Sequence, residues 1–145
     1  MTALDIALAM VKRFEGCRLA AYQDIVGVWT IGFGETMNVH AGMVWTQEQA
    51  DSTLKRRLAY FLAGVIKRCP QLQSEPNERI AACLSLAYNI GLGAFGASSV
   101  CRHTKRKEYD RAADSFLLWD KAGGKKVRGL TIRRALERKH YLGEK

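Results

Sequence analysis

Apolar residues recur every three or four positions along most of the chain, which is the spacing that one buried face of an α-helix requires. The first such segment covers residues 3 to 15, and Gly16 follows it as a residue typical of helix ends. The sequence Thr46-Gln47-Glu48-Gln49 matches a capping box. It predicts a helix of about 22 residues, about 33 Å long, that Pro70 terminates.

Further helices are predicted after Pro70. One begins near Ser74 to Pro76 and ends at Gly91, and shorter ones cover 94–103, 107–118 and 130–142. In the last helix, the apolar spacing predicts one inward face and one charged outward face. The inward face is Ile132, Ala135, Leu136 and Leu142, and the outward face is Arg133, Arg134, Glu137 and Arg138.

Residues 19–34 have a different character, because they are rich in aromatic residues, β-branched residues and glycine. This composition predicts a short hairpin or a small three-stranded sheet, with a turn near Asp24 to Gly27. One small β-rich segment among about six helices indicates an α+β fold that is mostly helical.

Composition narrows the class of protein further. The chain has 145 residues with a formal net charge of +9, and 48% of its residues are apolar. This length and composition fit one globular domain with its own core. No apolar run approaches the roughly 20 residues that a membrane span needs, and the first residues lack the features of a secretory signal. The positive charge favours polyanionic partners.

The cysteines give no sign of a metal site or a disulfide framework. They form no CxxC pair and do not lie at zinc-ligand spacing with the histidines. Free thiols are therefore expected at all four positions, which are Cys17, Cys69, Cys83 and Cys101.

Two carboxyl groups in the first part of the chain suggest acid–base chemistry. Glu15 ends the first helix, where the helix dipole and apolar neighbours such as Phe14 both favour the protonated form. Asp24 lies in the predicted turn, where backbone N–H groups and solvent favour the ionised form. Such a pair suits cleavage of a glycosidic bond, although a Glu at a helix end and an Asp in a turn are also common solvated surface groups.

The spacing of Glu15, Asp24 and Thr30, followed by Ile31-Gly32-Phe33-Gly34, resembles the active-site signature of phage-type lysozymes, glycoside hydrolase family 24. The resemblance continues through Ala87-Tyr88-Asn89-Ile90-Gly91 with Phe95 and Ser98. It ends with Trp119-Asp120-Lys121-Ala122-Gly123-Gly124, Gly129-Leu130 and Arg133-Arg134, a segment similar to the C-terminal part of lambdoid phage endolysins.

The resemblance implies a single lysozyme-like domain over residues 1–145 with two lobes. A small β-containing lobe would span about 15–60. The helical lobe would combine about 61–145 with the first helix, and a long helix would join the two lobes. No metal or organic cofactor is implied, and a monomer is expected.

The resemblance also implies an activity, cleavage of the β-1,4 bond between N-acetylmuramic acid and N-acetylglucosamine in peptidoglycan with inversion. Glu15 would be the general acid, Asp24 would orient water or stabilise the oxocarbenium-like transition state, and Thr30 would help to hold that water. Tyr88, Asn89 and Ser98 match positions that line the saccharide cleft in the family. Tyr88 also lies on an apolar stripe, and Ser98 also suits a helix cap. For Trp29 and Trp119, burial in the core is expected rather than stacking on sugars.

Two departures from the family pattern affect the site and the delivery of the protein. Relatives usually have Gly-His-Thr where this chain has Gly34-Glu35-Thr36. An ion pair made by that histidine would have to be rebuilt with another group, and Glu35 is expected to be structural or exposed. Glu15 lies too near the start for a signal-anchor segment, which implies accumulation in the host cytoplasm and release to the periplasm through a separate holin.

Three other functions remain open. A basic segment from Lys121 to His140 is expected to hold the protein on anionic peptidoglycan, but it also suits a nucleic-acid-binding helical protein. No helix-turn-helix, RNP or zinc-finger pattern supports the nucleic-acid alternative. A lytic transglycosylase would cleave the same bond without water, and Asp24 with Thr30 argue against it. An inactive binding module would not need Glu15, Asp24 and Thr30 intact.

Overall fold

A computed structural model describes residues 1–144. This part of the chain forms seven α-helices, one short 3₁₀ helix at Pro70–Ser74 and two small antiparallel hairpins, so the predicted α+β, mostly helical class is confirmed. The elements in chain order are α1 (Ala3–Phe14), β1 (Arg18–Gln23), β2 (Trp29–Gly32), α2 (Gln47–Arg68), α3 (Asn77–Ile90), α4 (Leu92–Ala97), α5 (Ser99–Lys105), α6 (Tyr109–Phe116), β3 (Lys121–Ala122), β4 (Lys125–Lys126) and α7 (Arg128–Tyr141).

The hairpin of β1 and β2 lies where the sequence predicts strands. Tyr22 pairs with Thr30 and Gln23 with Trp29, and the register shifts between Tyr22 and Arg18. A single bridge from Ala20 to Val44 adds a further contact beside β1. The hairpin therefore extends from α1 with Asp24 at its turn.

The long helix α2 begins and ends as its sequence predicts. The Thr46 hydroxyl accepts the Gln49 N–H at 3.1 Å, and the Gln49 side chain accepts the Thr46 N–H at 2.8 Å, which completes the capping box. The helix runs for 22 residues. It contacts β2 as well as α1, α3 and α4, so α2 connects the hairpin region to the remaining helices.

Helix α3 lies at the centre of the core. Every residue from Ile80 to Ala87 is buried, and α3 packs against α1, α2 and α7. A helix that neighbours cover on several sides buries its whole circumference rather than one stripe. The end of this helix, Tyr88 and Asn89, emerges from the core beside Glu15.

For most of the residues assigned to the two faces of α7, the prediction of which face is buried is wrong. Arg133, Arg134 and Glu137 are only 3%, 0% and 0% exposed, whereas Ile132 is 50% exposed. Ala135 is exposed and Leu136 is half-buried. The reason is that the buried charges neutralise one another through ion pairs against α3, which apolar periodicity does not register.

Two further differences concern local structure. The predicted helix over 94–103 is two helices, because Ser98 has extended backbone and begins α5 as its N-cap. The hairpin of β3 and β4 is not among the elements predicted from the sequence, although Gly123-Gly124 at its turn, both with positive φ, is a typical two-residue hairpin sequence. Among the described residues, no helix has the length and apolar character of a membrane span.

Candidate active site

Glu15 lies at the C-terminal end of α1, where it forms the helix cap. Its backbone N–H donates to the Val11 carbonyl at 2.8 Å, and its side chain is 28% exposed. Oε1 accepts a hydrogen bond from Nη1 of Arg133 at 2.9 Å. The sequence predicts a Glu15 side chain at a helix end beside apolar neighbours such as Phe14. In the structure a buried cation, which also lies 5.3 Å from the Phe14 ring, contacts its carboxyl.

Asp24 lies at the turn of the first hairpin, as predicted. Its Oδ1 accepts the backbone N–H groups of Val26 at 3.0 Å and Val28 at 2.9 Å. These two bonds fix the side chain against its own turn. No described residue donates a hydrogen bond to Oδ2, so this oxygen is available to other partners.

Thr30 lies in β2 and is 5% exposed. Its hydroxyl donates to the Val28 carbonyl at 3.0 Å. A hydroxyl has one proton and two lone pairs, so with the proton engaged its oxygen acts as an acceptor. Thr30 therefore belongs to the same hairpin as Asp24 and contacts the same residue, Val28.

Two adjoining cavities meet at Glu15 and Asn89, which line both of them, and we call them together the cleft. The larger, of about 520 Å³, is lined by Arg13, Phe14, Glu15, Asn89, Val127, Gly129, Leu130, Ile132 and Arg133. The smaller, of about 190 Å³, is lined by Glu15, Phe33, Gly34, Glu35, Arg57, Phe61, Tyr88 and Asn89. The cleft therefore joins the hairpin region with α2, α3 and α7.

The three predicted sugar-binding residues have different positions. Tyr88 and Asn89 line the cleft with Glu15, as the resemblance implies. Ser98 does not line either cavity, and it is 5% exposed. Its hydroxyl donates to the Phe95 carbonyl at 2.6 Å and accepts the Cys101 N–H at 3.2 Å, so Ser98 acts as a helix cap.

Asn89 presents a hydrogen-bond donor to the cleft. Its side-chain oxygen accepts from Nη2 of the buried Arg134 at 2.7 Å. Because a guanidinium group only donates, this contact fixes which end of the amide faces Arg134. The NH₂ group of Asn89, which is an exposed residue, is then available to an oxygen acceptor in the cleft.

Glu35, which stands where relatives usually have histidine, forms an ion pair with α2. Its Oε2 lies 3.2 Å from Nε of Arg57, and its Oε1 accepts the Met37 N–H at 2.9 Å. The pairing at this position is therefore made with a cation from the long helix. Since both oxygens are engaged, the expectation of a structural role agrees with the geometry.

Comparison with known proteins identifies the family. The family model described as phage lysozyme matches residues 12–137. The chain belongs to the phage lysozyme family.

Individual relatives agree with this assignment. The endolysin of Salmonella phage P22 is 40% identical over 140 residues, covering 93% of this chain and 94% of the relative. The endolysin of Acyrthosiphon pisum secondary endosymbiont phage 1 is 38% identical over 135 residues, covering 90% of this chain and 91% of the relative. The muramidase domain of SpmX from Asticaccaulis excentricus has a TM-score of 0.84 at 30% identity, with 94% of each chain covered. The predicted family and fold are confirmed.

The sequence does not predict that charged side chains are buried behind the site in this phage lysozyme. Arg133 and Arg134 belong to the family pattern, but apolar spacing assigns them to solvent together with Glu137. One signal is present, because Glu137 lies three and four residues after the two arginines, which is the spacing of helical ion pairs. The basic face is accordingly smaller than expected; its exposed cations include Lys121, Lys125, Lys126, Arg128 and Lys139.

Trp29 and Trp119, two of the three tryptophans, lie in different parts of this phage lysozyme. Trp119 is half-buried and packs against the core. Trp29 is also half-buried, in β2 beside Thr30. Neither lines the cleft cavities around Glu15.

Replacing Tyr88 with phenylalanine is expected to affect stability more than activity. The Tyr88 hydroxyl donates to the Phe33 carbonyl at 3.0 Å and so connects α3 to the segment after β2. Burial, with the negative charges of Glu15 and Glu35, raises the pKa of Tyr88 to about 12, so the hydroxyl keeps its proton. We expect the free energy of unfolding to fall by about 1 kcal/mol, measured by urea denaturation.

The matched control is Tyr60→Phe. Tyr60 is 64% exposed on α2, and its hydroxyl makes no hydrogen bond with any described residue. This variant should match the unsubstituted protein in both stability and activity. If Tyr88→Phe instead lost activity by more than about tenfold with unchanged stability, the hydroxyl would be a substrate ligand rather than a structural bridge.

Proposed function

We propose that this phage lysozyme hydrolyses the β-1,4 bond between N-acetylmuramic acid and N-acetylglucosamine, with Glu15 as the general acid. The observation that carries the proposal is the position of Glu15 in the cleft. Arg133 holds its Oε1, while its Oε2 faces Gly34, where a Cβ atom, if the residue had one, would lie 3.9 Å away. Glu15 and Gly34 both line the smaller cavity, so a sugar ring bound there has access to the second carboxyl oxygen.

The geometry supports proton donation by Glu15. A general acid must hold a proton in the bound complex and become a carboxylate as the leaving oxygen is protonated. The Arg133 guanidinium at 2.9 Å stabilises the negative charge that forms on Glu15 in this step. The negative charge on Glu15 thus develops beside the Arg133 guanidinium, which its buried hydrogen bonds already hold in place.

The hairpin supplies the second part of the reaction. We assign Asp24 to orienting water or stabilising the oxocarbenium-like transition state, and Thr30 to accepting a hydrogen bond from that water. Within residues 1–144, no group donates a hydrogen bond to Oδ2 of Asp24 or to the Thr30 hydroxyl oxygen next to Val28. A water-activating pair favours hydrolysis with inversion over the transglycosylase reaction, in which a sugar hydroxyl replaces water.

The experiment that tests this function is analysis of the products of purified peptidoglycan. Free reducing N-acetylmuramic acid ends, detected by mass spectrometry, are expected for a hydrolase. NMR of the first products should show the α-anomer, because inversion converts the β bond. A 1,6-anhydro end would instead support the transglycosylase, and the β-anomer would support a retaining mechanism. No cleavage by a folded protein would support a binding module.

Delivery follows from the same proposal. The protein would accumulate in the host cytoplasm as a monomer and reach the wall in the periplasm through a separate holin. Exposed Lys121, Lys125 and Lys126, next to the cleft residue Val127, would draw it to anionic peptidoglycan. This attraction is non-specific and is screened by salt over about 8 Å at physiological ionic strength. Nucleic acid is therefore no specific partner in this proposal.

A further inference from the structure

A buried carboxylate, Glu137 on α7, lies behind the cleft and is 0% exposed. Its Oε2 accepts the Ser85 hydroxyl at 2.6 Å and Nε of Arg133 at 3.2 Å. Its Oε1 lies 3.0 Å from Nε of Arg134. One carboxylate thus holds two adjacent arginines, and all three side chains are at least nine-tenths buried.

The two arginines extend from Glu137 to two different residues of the cleft. Arg133 donates from Nη1 to Glu15 at 2.9 Å and from Nη2 to the Ser85 carbonyl at 3.1 Å. Arg134 donates from Nη2 to the side-chain oxygen of Asn89 at 2.7 Å. Glu15 and Asn89 are the residues that line both cavities. The network therefore connects a buried anchor with the two side chains at the centre of the cleft.

We propose that Glu137 is a positioning residue for the reaction, which holds Arg133 against Glu15 and Arg134 against Asn89. The inference rests on the proposed function, since it takes Glu15 as the general acid. A buried arginine without its carboxylate partner is unfavourable and moves towards solvent or another acceptor. Glu137 prevents this for both arginines, so that the carboxyl of Glu15 and the amide of Asn89 keep fixed orientations.

Glu137 also sets the charge that Glu15 experiences. With Glu15 ionised, two carboxylates balance two guanidinium groups; with Glu15 protonated, the network carries one excess positive charge. Without Glu137 the excess would be two, which disfavours the protonated form that a general acid needs. Removing Glu137 is therefore expected to shift the loss of activity at alkaline pH towards lower pH.

Other charged groups near the network are fixed features of the cleft. Arg13 lines the larger cavity, and the Glu35–Arg57 ion pair and the Tyr88 hydroxyl line the smaller one. On the core side, the buried Cys83 thiol of α3 is close enough to Glu137 for the two to interact. Burial raises the pKa of Glu137, and both guanidinium groups and Ser85 oppose that rise.

The test is Glu137→Gln in the full chain, because glutamine keeps the shape of the side chain and removes its charge. Initial rates on soluble peptidoglycan fragments would give kcat and KM between about pH 4 and pH 9. We expect the alkaline limb of the kcat profile to move down by about one pH unit and kcat at neutral pH to fall about tenfold.

Glu75→Gln is the matched control. Glu75 is also a largely buried carboxylate, paired with Arg79 at 2.8 Å and hydrogen-bonded to Tyr109, and it lines neither cavity of the cleft. This variant should lower the Tm by a comparable amount and leave the pH profile unchanged. A Glu137→Gln protein with the same pH profile and kcat as the unsubstituted protein would overturn the inference, whatever its Tm.

A double variant, Glu137→Gln with Arg134→Met, keeps the inference testable if the single variant does not fold. It removes one charge of each sign, so the balance between Glu15 and Arg133 is restored and the pH profile should return to that of the unsubstituted protein. KM should rise, because Asn89 loses its anchor. An unchanged KM would overturn the positioning of Asn89. If the unsubstituted protein itself cleaves nothing, the proposed function fails rather than this inference.

Discussion

Replacing Glu15 with glutamine is expected to lower the rate of peptidoglycan hydrolysis by about 10²-fold or more. Glutamine keeps an oxygen that accepts the Arg133 hydrogen bond, so the end of α1 and the buried arginine retain their contact. It has no carboxyl proton to give to the leaving oxygen. A 10²-fold loss corresponds to about 2.7 kcal/mol of transition-state stabilisation. Turbidity clearing of purified peptidoglycan, with Tm as the check on folding, measures it.

The matched control for this prediction is Glu35→Gln. Glu35 lines the same cavity as Glu15 and is also paired with an arginine, Arg57 at 3.2 Å. Because both Glu35 oxygens are engaged, this variant should retain most of the activity and lose some stability. Equal losses in the two variants would mean that any charge removed from the cavity impairs the protein. Full activity of Glu15→Gln would remove Glu15 from the role of general acid.

Local sequence signals predict the parts of the fold that local chemistry determines. The two capping boxes at Thr2 and Thr46 close through hydrogen bonds between residues three apart, so α1 and α2 begin as short-range patterns indicate. Of the two, only the box at Thr46 enters the prediction from sequence. The hairpin is predictable for the same reason, since Asp24 bonds to the backbone of its own turn.

The environment of α7 is not predictable from apolar periodicity. Its inward face is charged. Glu137 pairs with both arginines within the helix, but the other partners of Arg133, which are Glu15 at the end of α1 and Ser85 of α3, lie far away in sequence. Ser85 and Glu15 lie 48 and 118 residues from Arg133, so no local pattern connects them. The ion pairs lower the cost of burying these charges, and the apolar Ile132 lies on the exposed face of the same helix.

The site is predictable only in part, for a similar reason. Glu15, Tyr88 and Asn89 come together at the cleft as the motifs imply, whereas Ser98 serves the start of α5. A serine before a helix matches the sequence motif equally well whether its hydroxyl caps the helix or binds a ligand. The distinction depends on burial, which the motif does not contain.

Replacing Asp24 with asparagine is expected to have the second large effect, a loss of about 10²-fold in the rate of hydrolysis. Asparagine keeps an oxygen that accepts the Val26 and Val28 N–H groups, so the hairpin turn and the Tm should remain unchanged. What disappears is the negative charge of the carboxyl group. Since Thr30 still contacts Val28, the wall of the hairpin is intact and the loss reports on charge alone.

Asp51→Asn is the control, because Asp51 is a surface carboxylate whose pKa is lowered by hydrogen bonds from Gln47 and Lys12. Its replacement also removes one negative charge from a hydrogen-bonded carboxylate. Neither Asp51 nor Asp24 lines a cavity of the cleft, but Asp51 lies on α2 rather than in the hairpin turn beside Thr30, so the activity should be unchanged. The products that the Asp24 variant releases are more informative than its rate. If Asp24→Asn cleaves slowly and releases 1,6-anhydro ends, Asp24 controls the entry of water. If it cleaves at the full rate with free reducing ends, water needs no help from Asp24, and Glu15 with its buried arginine carries the reaction without a second carboxylate.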